Sequence, residues 1–352
     1  MKDPHILSIG TAVPEKSYTQ LELAKLFGAK NPRINKLFAQ SHIKKRHLNL
    51  PEPGPDGCIP EESFQQLLDK HREGILHNGG RAVEEALNKA GIKPEQLDYL
   101  ACVTSTGYLC PGASALLVRQ HGFREDIHRL DVVGMGCNAA LNAVQPIVQY
   151  LRSNPTKIGM LVCIENCSAA YVYNETMVTA VVNSLFGDAA AAMLIGGAEQ
   201  QLVTPNPNLP CLVDFASQIV VEAMHTMRFD NDNGKLSFFL DRDIPYFLGQ
   251  NAHKPALRLM AQNNLKKRNI AWWVVHSGGK KVIDSIKMNL ELTDYDVRHT
   301  LDVLENFGNI SSCSILFSLL RLAEENVTSP GDYGIMMAMG PGASIETALM
   351  RW

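Results

Sequence analysis

No apolar run in this 352-residue chain approaches the ~20 residues that a membrane-spanning helix needs, which excludes that class of protein. The opening Met1-Lys-Asp-Pro-His lacks the basic-then-apolar order of a secretion signal, so the expectation is a cytoplasmic protein. Positive charge is not in excess either: 33 Lys and Arg face 36 Asp and Glu, a net charge of −3, and no basic field points to nucleic acid or an anionic membrane. The eight cysteines include no Cys-x-x-Cys pair, which argues against a structural zinc site. A disulfide framework does not suit a large chain that is 45% apolar.

What is present centres on Arg129-Leu-Asp-Val-Val-Gly-Met-Gly-Cys137-Asn-Ala-Ala-Leu. Val132 and Val133 read as the end of a buried strand, Gly134 and Gly136 as a sharp turn, and an Ala/Leu-rich helix starts at or beside Cys137. A helix start offers unpaired N–H groups and the positive end of the macrodipole, so a thiol there can hold more thiolate than usual. The competing reading makes Cys137 a small packing residue, since free cysteines are among the most buried residues.

Along the chain, His5–Pro14 reads as a strand and Thr19–Phe27 as a Thr-capped helix. Arg33, Lys36, Lys44, Lys45 and Arg46 then cluster ahead of a Pro/Gly loop, either as a grip for phosphates or as a solvated charged face. Helix is expected from His77 to Ala90 and strands at 97–104, 157–164 and 188–195, with 181–188 as a turn. Pro205-Asn-Pro-Asn-Leu-Pro210 is the candidate linker, dividing the chain into 1–204 and 205–352. Beyond it, a strand runs 270–276, helices 282–290 and 309–325, and closing strands 334–339 and 344–350.

The two halves superpose in register. Cys137 and Asn309 each follow a glycine and open a long apolar helix, Thr104 and His276 each end an apolar strand, and both pairs are 172 residues apart. A duplicated α/β unit would bring Cys137, Asn309 and His276 toward a common axis. A thiol, an imidazole and a carboxamide can act together on a thioester: the sulfur attacks, and N–H donors hold the oxyanion or enolate. A His276 imidazolium beside Cys137 would favour thiolate further. Residue type alone does not separate this from a papain-like arrangement.

Val133-Gly-Met-Gly-Cys137, Val182-Asn-Ser-Leu-Phe-Gly-Asp188, His276-Ser-Gly-Gly-Lys-Lys, Gly308-Asn309-Ile-Ser-Ser and Met339-Gly-Pro-Gly342 together resemble the chalcone synthase superfamily, the type III polyketide synthases. Within it the chain is most similar to the bacterial 3,5-dihydroxyphenylacetyl-CoA synthases. The resemblance implies an α/β thiolase fold of two pseudo-symmetric halves in αβαβα layers, a homodimer, and CoA thioesters as substrates with neither metal nor other cofactor. It also implies that Cys137 carries the growing chain while His276 and Asn309 hold the thioester oxygen and the enolate of decarboxylated malonyl-CoA. By the same resemblance Phe186 and Phe238 take the places of gatekeeping aromatics, Cys167 that of a cavity threonine, and Cys110 lies on a loop reaching the partner's cavity. Arg33, Lys36 and Lys44 fall on the CoA-phosphate stretch, whereas Gln40 stands where plant members have lysine.

His276-Ser277, Ala338-Met339-Gly340, Cys167 and Ala170 depart from the plant pattern and point away from a cinnamoyl starter. They fit assembly of four malonyl-CoA units into 3,5-dihydroxyphenylacetyl-CoA, in company with crotonase-like companion proteins. The alternatives are an acyl-CoA starter giving resorcinols or pyrones, a carrier-protein-dependent ketoacyl synthase, and a non-catalytic CoA-thioester binder.

Overall fold

Two leaves of β-sheet enclose a pair of apolar helices in the computed structural model, which describes residues 3–39, 42–170, 173–232 and 235–352; Gln40 lies outside the described residues. The first leaf orders its strands as His128–Val133, Tyr99–Thr104, Ile158–Glu165, Ala189–Gly196 and His5–Ala12. The second continues as Cys211–Ile219, Ser344–Arg351, Tyr333–Gly340 and Ile270–Val275. Between His5–Ala12 and Cys211–Ile219 the ladder is a single residue pair, His5 with Cys211, so the sheet turns a corner there.

Helices Ala139–Ser153 and Ser314–Glu325 lie between the leaves and touch strands of both. Ala139, Ala140, Val144 and Ile147 share one core with Ile315, Leu316 and Leu319, so the apolar faces of the two helices meet, while Asn142, Gln145, Gln149 and Arg152 line the less buried side of the first. Gly80–Ala90 and Ala113–His121 cover the outer face of the first leaf, and Ile244–Gln262 with Lys280–Leu290 cover the second. The result is the αβαβα layering expected. Strands Ile158–Glu165 and Ala189–Gly196 are buried along their whole length, as near-continuous apolar runs demand. Gly10 lets the outer helix lie on its strand, since a Cβ there would come 2.2 Å from the Ala82 carbonyl oxygen.

Thr19 caps Gln20–Leu26 reciprocally with Glu22, in line with its sequence. Other expectations need correction. The helical run before Ala90 begins at Phe64, capped by Ser63 and Gln66, and passes through a π turn at Ile75–Gly79; the Ser-x-x-Gln signature marks that start. Strand His128–Val133 is an exposed edge rather than a buried strand, and Val133 is 42% accessible. Residues 181–185 complete helix Met177–Leu185 under a Thr176 cap, because burial of Val182 outweighs the weak helix propensity of β-branched residues. Residues 211–262, for which the pattern gave no elements, hold strand Cys211–Ile219, hairpin strands Met227–Asp232 and Lys235–Leu240, and helix Ile244–Gln262. The repeat is imperfect as well: the counterpart of edge strand His128–Val133 falls inside helix Arg298–Phe307, leaving the second leaf one strand short.

Candidate active site

Cys137 follows the first leaf's edge strand through Gly134 (φ +81°) and Gly136 (φ +74°), where a left-handed backbone suits glycine. A Cβ on Gly136 would also lie 2.2 Å from Pro341 Cδ. The chain then makes a short 3₁₀ turn, Gly136–Asn138, and runs into the central helix. Asn138 Nδ2 donates to Ser344 Oγ at 2.7 Å, so the Gly340-Pro-Gly342 turn clamps the nucleophile's segment from the other half of the chain.

Asn309 does not begin its helix as expected; the α-helix starts at Ser314, and residue 309 lies in a short parallel bridge with Phe186. Its N–H donates to the Leu185 carbonyl at 2.9 Å, and its own carbonyl accepts from Gly187 N–H at 3.0 Å. The side-chain Oδ1 accepts from Ser311 N–H at 2.9 Å, which leaves the NH₂ end of the amide for Cys137, with which the side chain is hydrogen-bonded. His276 ends strand Ile270–Val275, and its Nδ1 pairs with Ser314 Oγ. Ser314 donates its own proton to the Ser311 carbonyl at 2.9 Å, so it accepts from Nδ1–H and the free Nε2 is unprotonated.

Burial pushes the Cys137 thiol up to about 12, against hydrogen bonds from the Ser311 and Asn309 side chains. It also drives the His276 imidazole down to about 3. Burial thus favours a neutral thiol and a neutral imidazole and works against the helix-stabilised thiolate and ion pair expected from the sequence. Beneath them sits Glu165, at the end of a wholly buried strand and not singled out from sequence. Its carboxyl accepts from Ser105 N–H (3.0 Å), Ser311 Oγ (3.2 Å) and Ser312 Oγ (2.5 Å), while Ser105 Oγ accepts from Gly136 N–H at 2.7 Å. A lone carboxylate at the end of an otherwise apolar strand was the signal available for it.

Cys137, His276, Asn309, Phe186, Phe238 and Met339 all face one cavity of about 30 Å³. Phe186 and Phe238 meet edge to face at 5.6 Å, and Phe229, not singled out from sequence, packs on Phe238 at 4.8 Å. On the far side of Phe186 opens a second cavity of about 870 Å³, and Cys167 lines that one rather than the small one. Cys110 is exposed and lines neither cavity of its own chain. Arg33 and Lys36 stand exposed on helix Pro32–Ala39 with no ion pair among the described residues, whereas Lys44 pairs with Glu305 at 2.6 Å. Arg46 departs from the cationic cluster altogether: it is 1% accessible and faces the interior.

Residues 34–264 match the family model described as FAE1/Type III polyketide synthase-like protein, and residues 212–352 match that of the chalcone and stilbene synthases, C-terminal domain. The chain is 45% identical over 99% of its length to the 3,5-dihydroxyphenylacetyl-CoA synthase of Streptomyces toyocaensis, covering 90% of that protein. To the 3,5-dihydroxyphenylacetyl-CoA synthase of Amycolatopsis balhimycina it is 47% identical, over 98% of this chain and 92% of the relative. In fold it superposes on PKS-I of the brown alga Ectocarpus siliculosus with a TM-score of 0.90, covering 99% of this chain and 98% of the other at 23% identity.

Proposed function

Because the chain belongs to the type III polyketide synthases of the chalcone synthase superfamily, we propose that it condenses four malonyl-CoA into 3,5-dihydroxyphenylacetyl-CoA, with Cys137, His276 and Asn309 as its catalytic residues. The observation that carries the residue roles is the shared cavity, in which a thiol, an unprotonated imidazole Nε2 and an amide NH₂ converge. Loading begins as Nε2 takes the thiol proton and the sulfur attacks the malonyl thioester carbonyl. The oxygen that becomes negative is then held by the new Nε2–H and the Asn309 amide, and CoA departs as a thiolate that takes its proton from water, so that Nε2–H is retained. In extension, a second malonyl-CoA loses carbon dioxide and the same two donors hold its enolate oxygen. Its carbon attacks the acyl group on Cys137, and the sulfur leaves, taking the proton back from Nε2 for the next round.

Four malonyl units lose four carbon dioxide molecules, the eight-carbon chain closes with loss of one water, and three CoA are released. The substrates are CoA thioesters, and this route uses no metal or other cofactor. Phe186 and Phe238 serve as the gate, Cys167 as wall of the chamber beyond it, and Arg33 and Lys36 as CoA-phosphate contacts, with Lys44 committed first to Glu305. The working unit in this reading is a cytoplasmic homodimer whose exposed Cys110 loop lines the partner's site, aided in later steps by crotonase-like companions. Incubation with malonyl-CoA alone, followed by product mass and acyl adducts on Cys137, tests it. An aromatic eight-carbon thioester is expected. The 870 Å³ cavity favours one second reading, a long acyl starter giving resorcinols or pyrones, and turnover only after addition of a fatty acyl-CoA would select it.

A further inference from the structure

We propose that Arg46, backed by Gln20, is a positioning residue that locks the gate Phe186 and the amide Asn309 into one unit, so that gate placement and oxyanion geometry are set together. This rests on the polyketide synthase reading above. The Arg46 guanidinium donates through Nη1 to the Phe186 carbonyl at 2.6 Å, and through Nε and Nη2 to Gln20 Oε1 at 3.1 and 2.8 Å. Gln20 in turn donates from Nε2 to the Ser184 carbonyl at 2.7 Å. Two carbonyls at the end of the gate helix, at 184 and 186, are thus held from behind by one planar strut.

That strut also reaches the other half of the chain. A Cβ on Gly308 would stand 2.8 Å from Arg46 Cδ and 3.0 Å from Cγ, so the arginine stem packs directly on the residue before Asn309. The bridge between 185–187 and 309 ties the same two segments by backbone hydrogen bonds. Arg46 therefore sits at the joint where the segment of one half carrying the gate meets the segment of the other half carrying the amide.

The energetics favour a positioning role over one in stability. Arg46 is 1% accessible, and no carboxylate forms an ion pair with it among the described residues; Asp188, whose charge does most to favour the cation, spends its carboxylate on Ser168 and on Asn49 N–H. A buried cation without a direct counter-ion is costly, and an apolar side chain of similar volume would serve the core better. What arginine alone supplies is a rigid fork whose N–H groups reach Gln20 and the Phe186 carbonyl together; a lysine has one nitrogen for both.

The test compares wild type with Arg46→Lys and Gln20→Ala, checking each fold by circular dichroism. Two readouts are taken. With malonyl-CoA, carbon dioxide release is measured against condensed product: Arg46→Lys should lower kcat for condensation at least tenfold, change KM less than threefold, and raise the ratio of carbon dioxide to product severalfold. Gln20→Ala should shift both in the same direction by less. Independently of turnover, alkylation of Cys137 by iodoacetamide should quicken severalfold in Arg46→Lys as the Phe186 wall loosens. Wild type that alkylates at Cys137 yet turns over no malonyl-CoA would sink the functional reading, while the alkylation comparison would still decide the role of Arg46. Wild-type partition and alkylation rate in folded Arg46→Lys would overturn the proposal, as would wild-type behaviour of Gln20→Ala should Arg46→Lys fail to fold.

Discussion

Replacing Glu165 by glutamine should change how stability depends on pH, by an amount that the surroundings of the carboxyl set. Glu165 has no solvent access, and burial raises it from its usual 4.5 to about 7, although Ser105, Ser311 and Ser312 all donate to it. Because the folded-state value lies above the unfolded one, the folded protein holds this proton longer. The group's contribution is then most favourable below about pH 4.5, declines as pH rises through 7, and levels off beyond. A displacement from 4.5 to about 7 corresponds to roughly 3 kcal/mol, of which about 2.5 kcal/mol falls between about pH 5 and pH 8. Glutamine keeps the shape and cannot ionise. Urea unfolding followed by tryptophan fluorescence should therefore show the stability of Glu165→Gln gaining on wild type by about 2 to 3 kcal/mol across that range. A constant difference between the two proteins from about pH 5 to pH 8 would refute a raised Glu165 carboxyl beneath Cys137 and His276.

Cys137→Ala should leave no acyl adduct by mass spectrometry and reduce condensation by at least about a thousandfold, since neither Asn309 nor His276 can replace the bond to sulfur. Ser314→Ala removes the acceptor for His276 Nδ1–H; kcat should fall about tenfold to a hundredfold with KM little changed, the range expected for one hydrogen bond to an imidazole that becomes charged. Gly308→Ala forces a side chain onto φ +73° and within 2.6 Å of the Leu185 carbonyl oxygen, so unfolding in urea should show a loss of at least about 2 kcal/mol. Steady-state kinetics should show Arg33→Ala and Lys36→Ala raising KM for malonyl-CoA severalfold, more at low salt, while Lys44→Ala changes it less than threefold because its charge is already paired with Glu305.

The candidate catalytic residues were legible in the sequence because the pattern around them repeats along the chain. Gly136-Cys137 and Gly308-Asn309, like Thr104 and His276, stand at one shared spacing, and the glycines are forced by left-handed φ and by contact with Pro341 or the Leu185 carbonyl. Periodicity likewise marked the two central helices and the wholly buried strands, whose apolar runs have no solvent-facing side to interrupt them. Residue type and order thus determined the family, the layered fold and the three side chains that meet at one cavity.

Tertiary structure alone decided their electrostatic state and their mutual placement. A helix start favours a thiolate at Cys137, whereas burial beside a cavity of about 30 Å³ disfavours the charged form. Arg46 reads as one more cation after Lys44 and Lys45, but pairing of strand Lys45–His47 with Ser17–Thr19 places alternate side chains on opposite faces and turns Arg46 inward to Gln20 and Phe186. Glu165, Ser105 and Ser311 come from three segments and show no relation in sequence, because a hydrogen-bond network assembled across sheet and helix leaves no spacing to read.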